Sequence, residues 1–457
     1  ASGAILLWIS PTDQMTGVIS AIATVVAVMM LWEFLFTNKV IRLSTLCAIG
    51  LTVGYGAGTL NTWLTFPRGG LPLASMIGQT VPELADGVAA ALMGCAFLLC
   101  IGELIEKPVW TMAQNLRVTG GMKWLVLVNT LIIAVAFAAG KFIQGGVKNA
   151  GAHSAGTLAE FLMFLVGPTV VMAGLVFFGS LSRNDKYVFG LILLGLLLFL
   201  TTQGRRNLVY PALIIIPVAR FSGYKWNRLT ASRILLVVLA FAILSVGVLA
   251  YQLLRLAGDT ISNYSITAEA SQAAQWAKEG RAWNIATTSS VQNVQQRTLL
   301  VVFMSDLLYQ ARTQETARGK DLLLQIEWAI PGVIFPNKPT IAEEDLASQT
   351  YHLFYPDESN SIFTAGALDF GLWGVLIYPI AVVMLCSFIQ RMASAYFSYE
   401  VAVFGFILFL LVMIAPEHQL GAYFVAIRNL LAFSGFVYIL SKMPSFQFGT
   451  SVSGANA

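Results

Sequence analysis

Residues Tyr187–Gln203 read YVFGLILLGLLLFLTTQ, a run of apolar side chains that no charged residue interrupts. A half-buried strand would alternate apolar and polar residues, whereas a continuous run of this kind is typical of a membrane-spanning helix. The whole chain has the same character, with 57% hydrophobic residues, 11% charged residues and a mean hydropathy of +0.74. Ordinary soluble domains are about a quarter charged. The sequence therefore predicts an all-α membrane protein, because continuous apolar runs in lipid form helices.

Charge and cysteine usage narrow the functional classes. The formal charge of +4 is small and scattered, so we expect no nucleic-acid partner. All four cysteines lie in apolar runs, where they can build neither a disulfide framework nor a metal cluster in a polar loop. They are Cys47, Cys95, Cys100 and Cys386. We expect no metal ion and no cofactor.

Apolar segments of the required length predict about eleven transmembrane helices. They lie near 16–36, 43–60, 86–106, 122–140, 158–180, 187–203, 207–221, 233–255, 364–388, 399–415 and 420–440. If the first connection is cytoplasmic, the inner loops and helix ends carry thirteen Lys and Arg residues and the short outer loops carry five. This bias predicts an outer amino terminus and an inner carboxyl terminus. In the second span, Gly50, Gly54 and Gly58 predict close approach of another helix.

One long polar segment divides the chain. We predict a first bundle of about eight helices at 1–255, an extracytoplasmic loop at 256–363, and three last helices with a cytoplasmic tail at 364–457. The loop holds twelve of the 23 acids and seven of the 27 bases. Loops this long are usually functional or disordered, and the tryptophans of this one favour partial order.

Within the loop, residues 294–312 have the period of an amphipathic helix. Its apolar side consists of Leu300, Phe303, Leu307 and Ala311, and its polar side of Ser305, Asp306, Tyr309 and Gln310. Such a helix lies on the outer leaflet or caps the bundle. Alternatively, the flanking Arg297 and Arg312 face a polar groove.

Two adjacent arginines follow the stretch quoted above, in TTQGRRN at Thr201–Asn207. The flanking predicted helices are about 17 and 15 residues long, or ~25 and ~22 Å, which is less than the ~30 Å of the hydrocarbon core. The turn should therefore lie below the outer surface, where Arg205 and Arg206 are costly unless an anion meets them. Planar guanidinium groups suit phosphate or carboxylate. The alternative is that both side chains extend to lipid headgroups.

Further candidates lie near the end of the loop and in the last helices. Three prolines in PGVIFPNKP, Pro331–Pro339, place Lys338 on a constrained turn, unless it is simply a solvated lysine. The segment YHLFYPDESNS, Tyr351–Ser361, brings acids and amides to the start of a span, where they either cap the helix or act in catalysis. These residues are Asp357, Glu358 and Asn360, followed by Asp369 near the outer helix end and by His418 in the last outer connection.

Three stretches together resemble the Wzy-type polysaccharide repeat-unit polymerases, whose C-type glycosyltransferase architecture is shared with O-antigen ligases and SEDS polymerases. They are GRRN at Gly204–Asn207, IPGVIFPNKP at Ile330–Pro339 and SNSIFTAGALDFGLWGV at Ser359–Val375. The resemblance implies a metal-independent enzyme of the bacterial inner membrane that acts outside the cytoplasm. Its donor would be an oligosaccharide on undecaprenyl diphosphate, its product a cell-surface O-antigen or exopolysaccharide, and its partners a flippase and a chain-length regulator.

The resemblance also implies roles for individual residues. Arg205 and Arg206 would hold the diphosphate or glycan, with Arg297 and Arg312 assisting, because a leaving diphosphate builds negative charge. The acceptor hydroxyl needs a base, for which Glu358 or Asp357 is the candidate. Lys338, Asn360, Asp369 and His418 complete the predicted substrate-binding set. Ligases of this architecture usually carry a His-Asn pair where this chain has Ser359 and Asn360, which favours a polymerase.

Two other functions stay open at this stage. One is a ligase-like glycosyltransferase that passes the glycan to a different acceptor. The other is a transporter of lipid-linked saccharide, although the charged clusters lie mostly outside the predicted spans rather than midway along them.

Overall fold

A computed structural model shows an all-α polytopic membrane bundle, which confirms the predicted fold class. It describes residues 2–9, 13–36, 42–65, 84–106, 118–138, 156–201, 210–222, 253, 256–257, 266–288, 299–332, 334–335, 342–353, 360–397 and 399–442. Within these ranges the chain forms helices and no strand. Among the described helices, five are long and apolar enough to cross a membrane.

The helices are labelled in chain order. They are α1 (Ser2–Ile9), α2 (Asp13–Phe36), α3 (Leu43–Thr65), α4 (Leu84–Ile105), α5 (Gly120–Ala138), α6 (Gly156–Gly179), α7 (Arg183–Thr201), α8 (Tyr210–Phe221), α9 (Ile266–Lys278), α10 (Leu299–Thr313), α11 (Lys320–Ala329), α12 (Glu343–Tyr351), α13 (Ile362–Phe370), α14 (Leu372–Tyr396), α15 (Tyr399–Ile414) and α16 (Leu420–Ser441). The five long apolar helices are α2, α3, α4, α14 and α16. Apart from residue 253, the span predicted at 233–255 lies outside the described residues.

The chain forms two compact units. Unit 1 comprises 1–111, 294–396 and 408–434, and unit 2 comprises 112–293, 397–407 and 435–457. In unit 2, Lys123 Nζ lies 2.5 Å from Asp185 Oδ2, and the Tyr399 hydroxyl donates to the Phe221 carbonyl at 2.9 Å. The site residues that the structure describes all belong to unit 1, whereas the predicted Arg205 and Arg206 fall in the sequence range of unit 2. The three-part division proposed from the sequence stays a prediction.

Glu106 joins three helices of unit 1 at the end of α4. Its buried carboxylate accepts hydrogen bonds from the backbone N–H groups of Leu43 and Ser44 at 2.8 and 3.0 Å, and from the Ser387 hydroxyl at 2.7 Å. Helix α3 therefore has its free N-terminal N–H groups capped by an acid 63 residues away. Arg42 completes the joint, because it donates to the Glu106 carbonyl and pairs with Glu103.

The close helix approach predicted in the second span is confirmed for two of its glycines. A β-carbon on Gly50 would lie 2.5 Å from the Met413 carbonyl oxygen, and one on Gly54 would overlap the Pro416 ring. Glycine is needed at both positions because backbone and ring occupy the space of any side chain. The end of α15 therefore packs directly on α3.

The span predicted at 364–388 is not one helix, which corrects the sequence prediction. Helix α13 ends at Phe370, Gly371 takes φ 59°, and α14 then begins at Leu372. The two helices touch where the backbones of Gly366 and Gly374 meet. The reason is local, since glycine at the turn adopts a positive φ without strain and the small pair permits a tight contact. Helix α13 is a short buried element folded against a long span.

Helix α10 occupies the position of the predicted amphipathic helix but does not have a solvent-facing polar side along most of its length. Every residue from Leu300 to Leu308 is buried, including Ser305 and Asp306, and only from Tyr309 onward do exposed side chains appear. The helix packs against α3, α4 and α13. Of the two predicted placements, it therefore has the one that packs on the bundle. Its sequence pattern underestimated the burial because several helices surround it.

Candidate functional site

The predicted site residues divide into two groups. Those outside the described residues are Arg205, Arg206, Arg297, Lys338, Asp357 and Glu358. Those that the structure describes are Arg312, Asn360, Asp369 and His418. Three of the latter lie around the α13–α14 hairpin. His418 is elsewhere, in the connection between α15 and α16, where its Nδ1 lies 2.9 Å from the Val412 carbonyl oxygen.

Asp369 lies at the end of α13 and is fully buried. Its Oδ1 accepts from the backbone N–H groups of Gly319 and Asp321, each at 3.1 Å. Its Oδ2 accepts from the Leu322 N–H at 3.0 Å and from the Tyr378 hydroxyl at 2.6 Å. These N–H groups lie at the start of α11, so the carboxylate caps the N-terminus of a helix that belongs to the predicted loop. A role for Asp369 in substrate binding stays a prediction, and the structure adds a structural role to it.

The other end of α11 is held by Arg428 of α16. Its Nη1 donates to the Ala329 carbonyl at 3.0 Å, while Nε and Nη2 donate to Asn429 Oδ1. An anion at the N-terminus and a cation at the C-terminus both complement the helix dipole. Between them, the Gly421 N–H donates to Gln325 Oε1 at 3.2 Å. Helix α11 is thus fixed at both ends and once between them to residues of α13 and α16.

A cavity of about 270 Å³ opens beside the hairpin, between α4, α10 and the start of α14. Its walls include Leu308, Phe370 and Trp373, and its charged groups are Asp86 and Arg312. Arg312 Nη2 lies 2.9 Å from Asp86 Oδ2, and the arginine side chain remains 55% exposed. The guanidinium therefore keeps donors available to a second anion. The cavity has the character of a ligand site, with apolar walls and a few polar groups.

The N-terminus of α13 is the second polar feature of the hairpin. Ser361 is its N-cap, since its hydroxyl accepts from the backbone N–H groups of Phe363 and Thr364 and also lies 2.7 Å from the Tyr55 hydroxyl. The preceding residue, Asn360, is 3% exposed, and neither polar atom of its side-chain amide has a hydrogen-bond partner within the described ranges. Such an amide is usually bonded, so Asn360 is a candidate ligand-binding residue.

Two buried acids on neighbouring helices approach the same region. Asp321 begins α11 and Glu343 begins α12, and both are 1% exposed. Burial raises the pKa of each carboxyl, and the negative charge of the other acids, including Asp369, raises it further. Gln325 Nε2 donates to Asp321 at 3.1 Å and partly offsets this effect. Both effects favour the neutral, protonated form of these two carboxyls.

A third buried acid, Asp306 of α10, gives the clearest expectation for pH dependence. Desolvation raises its pKa from an ordinary 3.8 to about 7. Because the folded protein binds this proton more tightly than the unfolded chain, the stability of the protein should fall as the pH rises from ~4 to ~7, by up to about 4 kcal/mol. We expect Asp306→Asn to raise the thermal midpoint in detergent at about pH 8 and to change it little at about pH 4.

The matched control is Glu315→Gln, which neutralises a carboxylate that is 80% exposed on the turn after the same helix. It should leave the pH profile of the midpoint unchanged, because this carboxylate is in contact with water and its replacement exposes or buries no charge. If Asp306→Asn had the same thermal midpoint as the parent protein at both pH values, burial of Asp306 would not be the cause of the pH dependence.

The structure places Arg312 and Asp369 near the turn of the α13–α14 hairpin and Asn360 at the opposite end of α13, and it adds residues that are absent from the predicted site. These are Asp86, Asp321, Glu343 and Arg428. The only sequence signal for Arg428 was a charge within a span, and Asp321 and Glu343 were indistinguishable from other loop acids. Comparisons with protein-family models, with curated proteins and with solved structures found no match to this chain.

Proposed function

We propose that this protein is a glycosyltransferase of the bacterial inner membrane that polymerises oligosaccharide repeat units carried on undecaprenyl diphosphate. The observation that carries the proposal is the cavity beside the α13–α14 hairpin, where the exposed side of Arg312 meets apolar walls. An amphiphile with an anionic head and an apolar tail needs this combination. The resemblance of three stretches to Wzy-type polymerases supports the same assignment.

In the proposed reaction, an acceptor sugar hydroxyl attacks the anomeric carbon of the donor glycan. The bond from that carbon to the diphosphate oxygen breaks, and the hydroxyl proton passes to a carboxylate. Arginines that are already in place stabilise the charge that develops on the leaving diphosphate. We assign that task to Arg205 and Arg206 with Arg312 assisting. We assign proton transfer to Glu358 or Asp357, which lie two and three residues before Asn360 in the chain.

The decisive assay supplies the purified protein, in vesicles, with undecaprenyl-diphosphate-linked repeat units and separates the products by size. A ladder of products is expected from the parent protein. Arg205→Ala and Arg206→Ala should abolish the ladder while membrane insertion stays intact, since a residue that holds the leaving group is not needed for folding. Transfer of a single unit would instead indicate a ligase-like enzyme, and no transfer would overturn the proposal.

Arg312 offers a sharper comparison because the chain provides a matched control. Arg312→Ala should lower the initial rate of polymerisation roughly 10- to 100-fold, as expected when one charged hydrogen bond to a phosphate is lost. Arg318→Ala removes an arginine that is 69% exposed, pairs with Glu315 and does not line the cavity. Its rate should equal that of the parent protein. Equal rates for both variants would remove the cavity from the proposed site.

A further inference from the structure

Helix α11 belongs to the segment predicted as a polar loop, yet its contacts run along a span. Gln325 bonds to the backbone of Gly421, in the first turn of α16, and Ala329 bonds to Arg428, two turns further on. At 1.5 Å per residue, these contacts cover about 10 Å of α16. All of α16, from Leu420 to Ser441, is apolar enough to span a membrane. Helix α11 therefore lies beside the span and not beyond its end.

The close fit of the two helices supports this register. A β-carbon on Gly421 would lie 2.5 Å from Gln325 Oε1 and 3.0 Å from the Trp328 ring. Arg428 would be costly within a span, but the Ala329 carbonyl and the Asn429 side chain both accept from its guanidinium. The arginine is thus accommodated at this depth because the end of α11 reaches it.

The exposed surface of α11 changes character along its length. The turn before the helix and its first residue expose polar side chains, namely Gln314, Glu315, Arg318 and Lys320. One turn later the exposed side chains are apolar, with Leu323 62% exposed, Ile326 39% and Trp328 49%. Trp373, at the start of the α14 span, is likewise an exposed apolar side chain, at 72%. A boundary between water and lipid that passes near Lys320 accounts for this order, since apolar residues below it then contact acyl chains.

We propose that α11 is embedded in one leaflet of the membrane, with Leu323, Ile326 and Trp328 against lipid acyl chains and with Arg318 and Lys320 at headgroup level. Asp369 and Arg428 hold the helix at this depth by its two ends. This part of the predicted loop is then a membrane element. This inference does not depend on the glycosyltransferase assignment.

The test measures the depth of nitroxide spin labels in the full-length protein, reconstituted into vesicles of phosphatidylethanolamine and phosphatidylglycerol. Cys100→Ser removes the exposed native thiol, and single cysteines are then placed at Leu323, Ile326 or Gln314, with Val28 as a reference exposed on the α2 span. Collisions with oxygen report lipid, and collisions with a water-soluble nickel complex report water. Labels at Leu323 and Ile326 should match Val28 and show several-fold fewer nickel collisions than the label at Gln314.

A second variant tests how the depth is set. Adding Arg428→Gln to the Leu323 label should raise its nickel collisions several-fold, because the C-terminal end of α11 loses its partner. If the Leu323 and Ile326 labels are as accessible to nickel as Gln314, α11 lies in water and the proposal fails. If Arg428→Gln leaves the Leu323 label unchanged, Arg428 does not set the depth and that part of the proposal fails.

Discussion

Replacing Gly374 with alanine is expected to prevent the α13–α14 hairpin from closing. The new β-carbon would overlap the carbonyl oxygen of Gly366, which is backbone and has no side-chain torsion to move away. Every residue from Ile362 to Asp369 is buried, so α13 has no free space into which to shift. We expect a loss of more than about 3 kcal/mol of stability, visible as little or no monodisperse protein on gel filtration in detergent.

Two other glycines provide the control for this substitution. Gly195 lies within α7 and Gly435 within α16, and a β-carbon at either position would meet nothing within 4 Å. Alanine there should leave the yield unchanged or improve it slightly, because alanine is the better helix former. A Gly374→Ala protein with the thermal midpoint of these controls would show that the hairpin contact is looser than described.

Replacing Asp369 with alanine should release the start of α11. Three backbone N–H groups and the Tyr378 hydroxyl would lose their acceptor in a buried site, at a cost of roughly 3–5 kcal/mol. The measurement is amide hydrogen exchange, in which the amides of Gly319, Asp321 and Leu322 should exchange much faster than in the parent protein. The thermal midpoint of Asp369→Ala should also be lower than that of the parent protein.

The conservative variant Asp369→Asn separates hydrogen bonding from shape. Its amide retains one oxygen for two of the donors but turns an N–H group toward the others, so exchange at these amides should be intermediate. Asp345→Asn, on the exposed side of α12, should leave exchange at Gly319 unchanged. Parent-like protection in Asp369→Ala would mean that α11 does not need this cap.

Much of the fold follows from the sequence because its signals are local. Apolar runs of about 20 residues specify spans wherever they occur, and the glycines of α3 specify close contact without reference to a partner. The break at Gly371 escaped prediction since DFGLWG is apolar enough to continue a helix. It is decided by the Gly366–Gly374 contact, which exists only once the chain has turned.

The candidate site was predictable only in part, because it depends on contacts between segments that lie far apart in the sequence. Arg312 and Asn360 stood out as polar residues next to apolar segments. The sequence placed Asp369 near the outer end of a helix, but it gave no indication that this carboxylate caps α11, about 48 residues earlier. Asp321 and Glu343 differ from the other acids of the loop only in their burial. Burial results from the packing of the helices, so the sequence around each residue does not show it.

The long-range contacts of α11 determine when this helix can become stable during synthesis of the chain. With ten residues, this helix is too short to be stable alone in water. Asp369 and Arg428, which secure its ends, both follow it in the sequence, and Arg428 does so by 99 residues. During synthesis, the Ala329 carbonyl group therefore gains its partner only after α16 has been made. This corner of the molecule cannot be complete before α16 has entered the membrane.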